Sequence, residues 1–129
     1  MKKIKILIAE DNENFRNDMV NYFGSQNYIE VVAEAETGIE AISCAREYKP
    51  DVIIMDISMP LMSGLKATKI IKEEDPIVDI IALTVHDDEE YRSEFKRLGA
   101  RGYFLKGTPF QDLLTVIKYK DNFFRERVS

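Results

Sequence analysis

The sequence predicts an α/β protein: a doubly wound sheet of five parallel strands, with five helices distributed over both faces. Two observations carry that expectation. Five short apolar runs alternate with five stretches whose apolar residues recur at helical spacing, and no internal repeat interrupts them. The third run, Val52 to Met55, is continuously apolar rather than alternating, which is the texture of a strand covered on both faces. With 129 residues, 45% of them hydrophobic and 32% charged, the chain suits one domain over 1–129 with its core at about 3–125.

The first run, Ile4 to Ala9, leads into a helix with Phe15, Met19 and Phe23 on one stripe and Gly24 as its stop. The second, Tyr28 to Ala35, alternates through Ile29, Glu30 and Val31 and later carries Glu34, so it is the expected edge strand. Thr37, with Glu40 three residues on, forms a capping box for the second helix. Beyond the third run, Ser63 stands ahead of Leu65, Ile70 and Ile71. The fourth run, Val78 to Leu83, is followed by Asp87 ahead of Tyr91, Phe95 and Leu98. Those three are the only large apolar residues of a helix at about 88–98, which should pack weakly and move easily. The fifth run, Tyr103 to Leu105, precedes Thr108, Pro109 and Gln111 and then Leu113, Leu114 and Ile117, with Pro109 at the favoured first helical position. Phe123 and Phe124 either finish that last stripe or meet a further domain or a second copy.

Composition excludes several classes. No apolar stretch reaches membrane-spanning length, and Lys5 interrupts the N-terminal run before it could serve as a signal peptide. The one cysteine, Cys44, cannot close an internal disulfide, which suits a reducing, cytoplasmic setting. Ala41, Ile42 and Ala45 around it mark it as a small core residue. A formal net charge of -5 argues against a direct grip on nucleic acid, so any DNA contact falls to another domain, and no such output domain is expected within these residues.

In an open parallel sheet, ligands bind outside the carboxyl ends of the strands, where the strand order reverses. The residues just past each apolar run are therefore the ones to weigh. After the first come Glu10 and Asp11, after the third Asp56, after the fourth Thr84 and after the fifth Lys106, whereas Glu36 and Thr37 after the second are helix-capping material. Like charges about 4 Å apart repel by roughly 4 kcal/mol at an effective dielectric near 20, so three carboxylates and one lysine at one edge call for a cation. Hard oxygen donors without His or Cys among them point to Mg²⁺ rather than zinc. Asp56 then has the makings of a nucleophile that forms an aspartyl phosphate. Mg²⁺ and Lys106 would neutralise the phosphoryl oxygens, and Thr84 would donate to one of them.

Taken singly, these residues have plainer readings. Asp56 could be a strand-end turn residue, Glu10 and Asp11 acids favouring the next helix's first turn, Thr84 a strand former, Lys106 a solvated charge and Tyr103 half-buried sheet filler. Taken together, they resemble the receiver domains of two-component response regulators over Lys3 to about Lys118. The resemblance rests on Glu10-Asp11, on Asp56 followed by Met59-Pro60 and Gly64, on Thr84, and on Lys106 with Tyr103 three residues before it. The stretches EVVAEAETGIEAI, DISMPLMSGLKATKII and LTVHDDEEY are similar to receivers that precede LuxR-type helix-turn-helix output domains.

That resemblance implies the flavodoxin-like strand order 2-1-3-4-5. It implies that Asp56 accepts a phosphoryl group from a phosphohistidine on a sensor histidine kinase. Asp11 and Asp56 would bind Mg²⁺ directly, Glu10 largely through water, and Ser58 through its backbone carbonyl. Thr84 would follow the new phosphoryl group and Tyr103 would turn inward behind it, the two acting as the switch that remodels the face of the fourth helix, fifth strand and fifth helix, through which the phosphorylated protein could dimerise or bind a partner. Ser58 and His86 would modulate dephosphorylation. Such a domain assists its own phosphorylation and dephosphorylation and turns over no independent substrate. Many members follow the lysine with a cis proline, whereas Lys106 here precedes Gly107, which leaves that loop's geometry open.

Two enzymatic or redox alternatives fit the residues less well. A flavin-binding electron carrier needs small amide or hydroxyl residues after the first strand, where this chain has Glu-Asp-Asn-Glu. An aspartyl phosphatase wants a second Asp two residues past the nucleophile, where this chain has Ser58. An interaction module that has lost phosphorylation would lack one of Asp11, Asp56, Thr84 or Lys106, and all are present.

Overall fold

The computed structural model describes residues 2–119. Strands β1 (Ile4–Ala9), β2 (Ile29–Ala35), β3 (Val52–Asp56), β4 (Asp79–Thr84) and β5 (Gly102–Leu105) alternate with helices α1 (Glu13–Gly24), α2 (Gly38–Tyr48), α3 (Gly64–Glu74), α4 (Glu89–Arg97) and α5 (Phe110–Tyr119). Every strand pairing is parallel and the order is β2-β1-β3-β4-β5, so the fold is the doubly wound one the alternation predicts. β2 lies at an edge, as its alternating texture requires. Phe123, Phe124 and the expected extension of the core to 125 lie outside the described residues.

The alternation of side chains along each strand sorts the core into two layers. Leu7, Ile53, Met55, Ile80 and Ala82 point to the side covered by α2, α3 and α4, where Ala41, Ile71 and Phe95 meet them. Ile6, Ile8, Ile54, Ile81 and Leu83 point to the other side, where Met19 and Phe23 of α1 and Leu113, Val116 and Ile117 of α5 close over them. Every residue of β3 is buried, because both layers cover it. Burial on that scale contributes about 1.5–3 kcal/mol per large side chain, so the centre of the sheet is the rigid part of the molecule.

The helix starts follow the sequence with local shifts. Thr37 and Ser63 cap α2 and α3 by accepting the backbone N–H groups of Glu40 and Lys66 at 3.0 and 3.2 Å. The Glu40 carboxylate does not close the expected box on Thr37; it accepts the N–H of Glu36, one residue earlier, at 3.3 Å. Asp88 rather than Asp87 caps α4, since its Oδ1 accepts from both Glu90 and Tyr91. Pro109 sits one residue ahead of α5, and its carbonyl accepts the Asp112 N–H at 2.9 Å. Gly24 is the last residue of α1 and not a left-handed stop; Ser25 closes the helix in right-handed conformation. Gly99 takes that left-handed role after α4, at φ +84°.

α4 is as thinly anchored as its sequence predicts. Phe95 is its one buried residue, Leu98 is half-buried, and Tyr91 is exposed at 43%. Cys44 is half-buried against the first layer, and burial, with Glu40 and Glu47 nearby, pushes its thiol up, away from reactivity.

Candidate functional site

The strand order reverses between β1 and β3, and the ladder there aligns Ala9 with Met55. The next residue on each strand is therefore Glu10 on one side and Asp56 on the other, side by side at the carboxyl edge of the sheet. Both are buried, at 0% and 1% exposed, while Asp11 beside them is exposed. One carboxylate oxygen from each of Glu10, Asp11 and Asp56 lies within 4.8 Å of the others. The three acids singled out by the sequence thus share one locus.

Lys106 reaches this locus from the end of β5. Its Nζ stands 3.0 Å from each oxygen of Glu10, with hydrogen-bond geometry toward Oε2 and ion-pair contact to Oε1, and 3.3 Å from Asp56 Oδ1. The Phe15 ring faces the ammonium at 5.5 Å. The backbone places Lys106 by hydrogen-bonding its N–H to the Thr84 carbonyl and closing the next turn from Thr108 N–H to Leu105 O. No cis peptide bond occurs among the described residues, so the loop through Gly107 keeps the ordinary trans linkage. The Ser58 N–H donates to Asp56 Oδ1 at 3.2 Å, and Asn12 N–H donates to Glu10 Oε2 at 3.0 Å.

One lysine does not balance three carboxylates. Burial, the Asp11 carboxyl and the Glu10 charge together outweigh the attraction of Lys106 and push Asp56 up to about 8. Burial pulls the Lys106 ammonium down, but its hydrogen bond to Glu10 and the Asp56 and Glu10 charges prevail and hold it raised, so it stays cationic. Asp56 Oδ2 is buried with no hydrogen-bond partner. A buried carboxyl oxygen without a partner is costly, and this one belongs to a cluster of hard oxygen ligands that could hold a divalent cation.

The other residues singled out by sequence form a second set at the β4 end. The Thr84 hydroxyl donates to the His86 carbonyl at 2.9 Å and accepts the His86 N–H at 3.2 Å. Tyr103 is turned inward at 5% exposed, its hydroxyl in contact with Thr84 and with the Asp88 backbone at 3.3 and 3.4 Å. Burial pushes its phenol up, so it remains protonated. This set ties the end of β4 to the α4 cap. His86 and Ser58 are exposed beside the edge.

The sequence pattern does not reveal Arg16. Its guanidinium is buried, bonded to the Glu10 carbonyl and paired with Glu34 and Glu36. The expected stripe holds, with Met19 and Phe23 buried and Phe15 packed against the same layer and the Phe110 ring, while Arg16, beside that stripe, is buried through polar partners at the β2 side.

Residues 6–118 match the response regulator receiver domain family. This chain belongs to that family. The receiver is 46% identical over 116 residues to the oxygen regulatory protein NreC of Staphylococcus aureus, which covers 89% of this chain and 54% of NreC. It thus spans about half the length of that relative. Among solved structures it superposes on the response regulator domain of Thermotoga maritima CheB with TM-score 0.84 at 30% identity, covering 91% of this chain and 95% of that one. It also superposes on a LuxR-family DNA-binding response regulator from Staphylococcus aureus with TM-score 0.83 at 28% identity, covering 88% and 95%. The likeness to receivers that precede LuxR-type output domains, read from the residues, is borne out. Among the described residues no helix is long and apolar enough to cross a membrane.

Proposed function

We propose that this receiver is a phosphorylation-switched signalling domain whose acceptor is Asp56. The observation that carries the reading is the buried Asp56 Oδ2, unpartnered at the sheet's switch point, with Lys106 and Ser58 N–H already on the other oxygen. In the proposed step, an Asp56 oxygen attacks the phosphorus of a phosphohistidine on a partner kinase. The P–N bond breaks, its electron pair leaves on the imidazole nitrogen, and an aspartyl phosphate remains.

The donor set fits Mg²⁺, with Asp11 and Asp56 as direct ligands, Glu10 through water and the Ser58 carbonyl completing the protein's share. When bound, Mg²⁺ supplies positive charge to the transferring phosphoryl oxygens. Lys106 adds a fixed ammonium at Asp56 Oδ1, and Ser58 N–H orients the carboxylate. The Thr84 hydroxyl, now committed to His86, would turn to the phosphoryl group, and Tyr103 would readjust with it. Because Tyr103 bonds the Asp88 backbone, that readjustment pulls on the start of α4, the helix with least burial. The α4–β5–α5 face is then the surface offered to a partner, a second copy or an output domain, through which transcription would be controlled. Ser58 and His86, both exposed, would tune hydrolysis. The whole chain, 1–129, acts as one such module in the cytoplasm.

The test is incubation with acetyl phosphate and Mg²⁺, followed by intact-mass analysis and peptide mapping. One added phosphoryl group, localised to Asp56, is expected; no addition, or addition elsewhere, refutes the assignment. Lys106→Ala should retain Mg²⁺ binding above the Asp56 titration yet phosphorylate at least about tenfold more slowly, because one preorganised charge at the reacting oxygen is lost. Unchanged phosphorylation kinetics would make the lysine a bystander.

A further inference from the structure

We propose that Arg16 is a positioning residue: it fixes the Glu10-Asp11 acidic pair for Mg²⁺ by clamping the β1–α1 junction to the end of β2. The inference rests on the metal-dependent reading of the site. Each nitrogen of the guanidinium has its own partner. Nη1 donates to the Glu10 carbonyl at 2.9 Å, Nε pairs with Glu34 Oε1 at 3.0 Å, and Nη2 pairs with Glu36 Oε1 at 3.1 Å. The arginine side chain is 10% exposed, whereas its two acidic partners are 44% and 57% exposed. The buried end of this network is therefore the Glu10 backbone, not a surface ion pair.

That bond sits where a small displacement matters most. The Glu10 N–H is already fixed to the Ala35 carbonyl at 2.9 Å, so Arg16 supplies the second main-chain anchor of the residue that begins the acidic pair. The Glu10 side chain then takes Lys106 and the Asn12 N–H. Releasing the carbonyl frees the Glu10-Asp11 peptide to rotate and carries Asp11, the exposed member of the cluster, away from Asp56. A lysine cannot replace the clamp. Its compact ammonium lacks the planar fork that satisfies three partners in fixed directions.

The positioning role and a purely electrostatic one predict opposite signs. A cation near a divalent-metal site weakens binding, so if charge alone mattered, Arg16→Met would tighten Mg²⁺ and Arg16→Lys would leave it unchanged. If Arg16 positions the pair, both substitutions weaken it. If Arg16 only braces α1, both lower thermal stability and leave metal affinity where it was.

The experiment is calorimetric titration with Mg²⁺ alone, without phosphodonor, at constant ionic strength and one fixed pH, on wild type, R16K and R16M. Hydrogen exchange at the Asn12 amide serves as a second readout. We expect the dissociation constant to rise on the order of tenfold in R16K and R16M. Faster exchange at Asn12, with β1 and β3 protection unchanged, should accompany it. Affinity within twofold of wild type, or tighter, overturns the inference. Should both variants unfold, E34Q/E36Q retains the arginine and its bond to Glu10 while reducing the two outer ion pairs to neutral hydrogen bonds. A smaller loss of affinity that persists at raised ionic strength, where the long-range loss of charge is screened, supports the clamp, and no loss, or one that vanishes at raised ionic strength, overturns it. A wild-type protein that takes up no Mg²⁺ overturns the reading of the site itself, which distinguishes that failure from failure of the clamp.

Discussion

Asp56→Asn is expected to abolish phosphoryl uptake and, in the same protein, to raise the melting temperature of the metal-free form at alkaline pH. The first effect arises because an amide is not a nucleophile toward phosphorus at neutral pH. The second arises from the imbalance of charge at the sheet edge. Asp56 is pushed up to about 8 by burial and by the Asp11 and Glu10 carboxyls, against roughly 3.9 in an unfolded chain. The folded state therefore holds a proton that the unfolded state has released throughout that window. The stability this contributes is fully present below the unfolded value and is lost as pH rises through about 8, at up to about 1.4 kcal/mol per pH unit. Asn carries no titrating proton and escapes the loss. Calorimetric melts in chelator should therefore show the two proteins diverging as pH rises, with the Asn variant about 5–10 °C higher near the top of the window. Adding Mg²⁺ should raise the wild type and leave the variant nearly unmoved. A wild type whose melting temperature is flat across the window would show that the carboxylates are already compensated, with no charge left for a cation to neutralise.

How far this site was legible in the sequence depends on which residues are meant. Glu10, Asp11, Asp56 and Lys106 were legible because strand periodicity fixes where each apolar run ends, and a parallel sheet gathers those ends on one edge. Parallel register did the rest: Ala9 opposite Met55 leaves Glu10 and Asp56 as neighbours. The position of β2 was legible for a related reason, since Glu30 and Glu34 mark it as an edge. Arg16 was not, because an apolar stripe marks only the residues that hydrocarbon covers, and the burial of Arg16 depends on the Glu10 carbonyl and on Glu34 and Glu36 of the next strand and loop, partners that helical spacing does not reveal. The ends of helices blurred as well. Asp87 and Asp88 are both competent caps, and only the path of the β4–α4 loop, bonded through Thr84 and Tyr103, selects Asp88. Tyr103 was ambiguous in sequence because sheet filler and a loop-anchoring phenol look identical until the partner of the hydroxyl is seen.

Gly64→Ala should be the most damaging conservative substitution in the protein, and the reason is space rather than backbone conformation. Gly64 opens α3, and its N–H donates to the Ile57 carbonyl at 2.8 Å, which holds the helix start against the end of β3. A Cβ added there would run into the carbonyl oxygen of Asp56 and stand 2.9 Å from both the Asp56 carbonyl carbon and Met55 Cγ. The neighbour is backbone of the most buried strand, so it has little room to give. Either α3 lifts off and loses its bond to Ile57, or the Asp56 peptide rotates and takes its carboxylate with it. Overpacking of this kind costs about 2–3 kcal/mol, equivalent to a fall of roughly 10 °C in melting temperature for a domain of this size. Both routes also disturb the acceptor, so Mg²⁺ should stabilise the variant less than it stabilises wild type. Gly24→Ala provides the contrast: nothing lies within 4 Å of its Cβ, and the position is helical, so alanine there should stabilise by up to about 1 kcal/mol. Melts of the two variants side by side decide the matter. If Gly64→Ala unfolds with the wild type, the end of β3 is softer than its burial indicates, and Asp56 is not held by the packing beneath it.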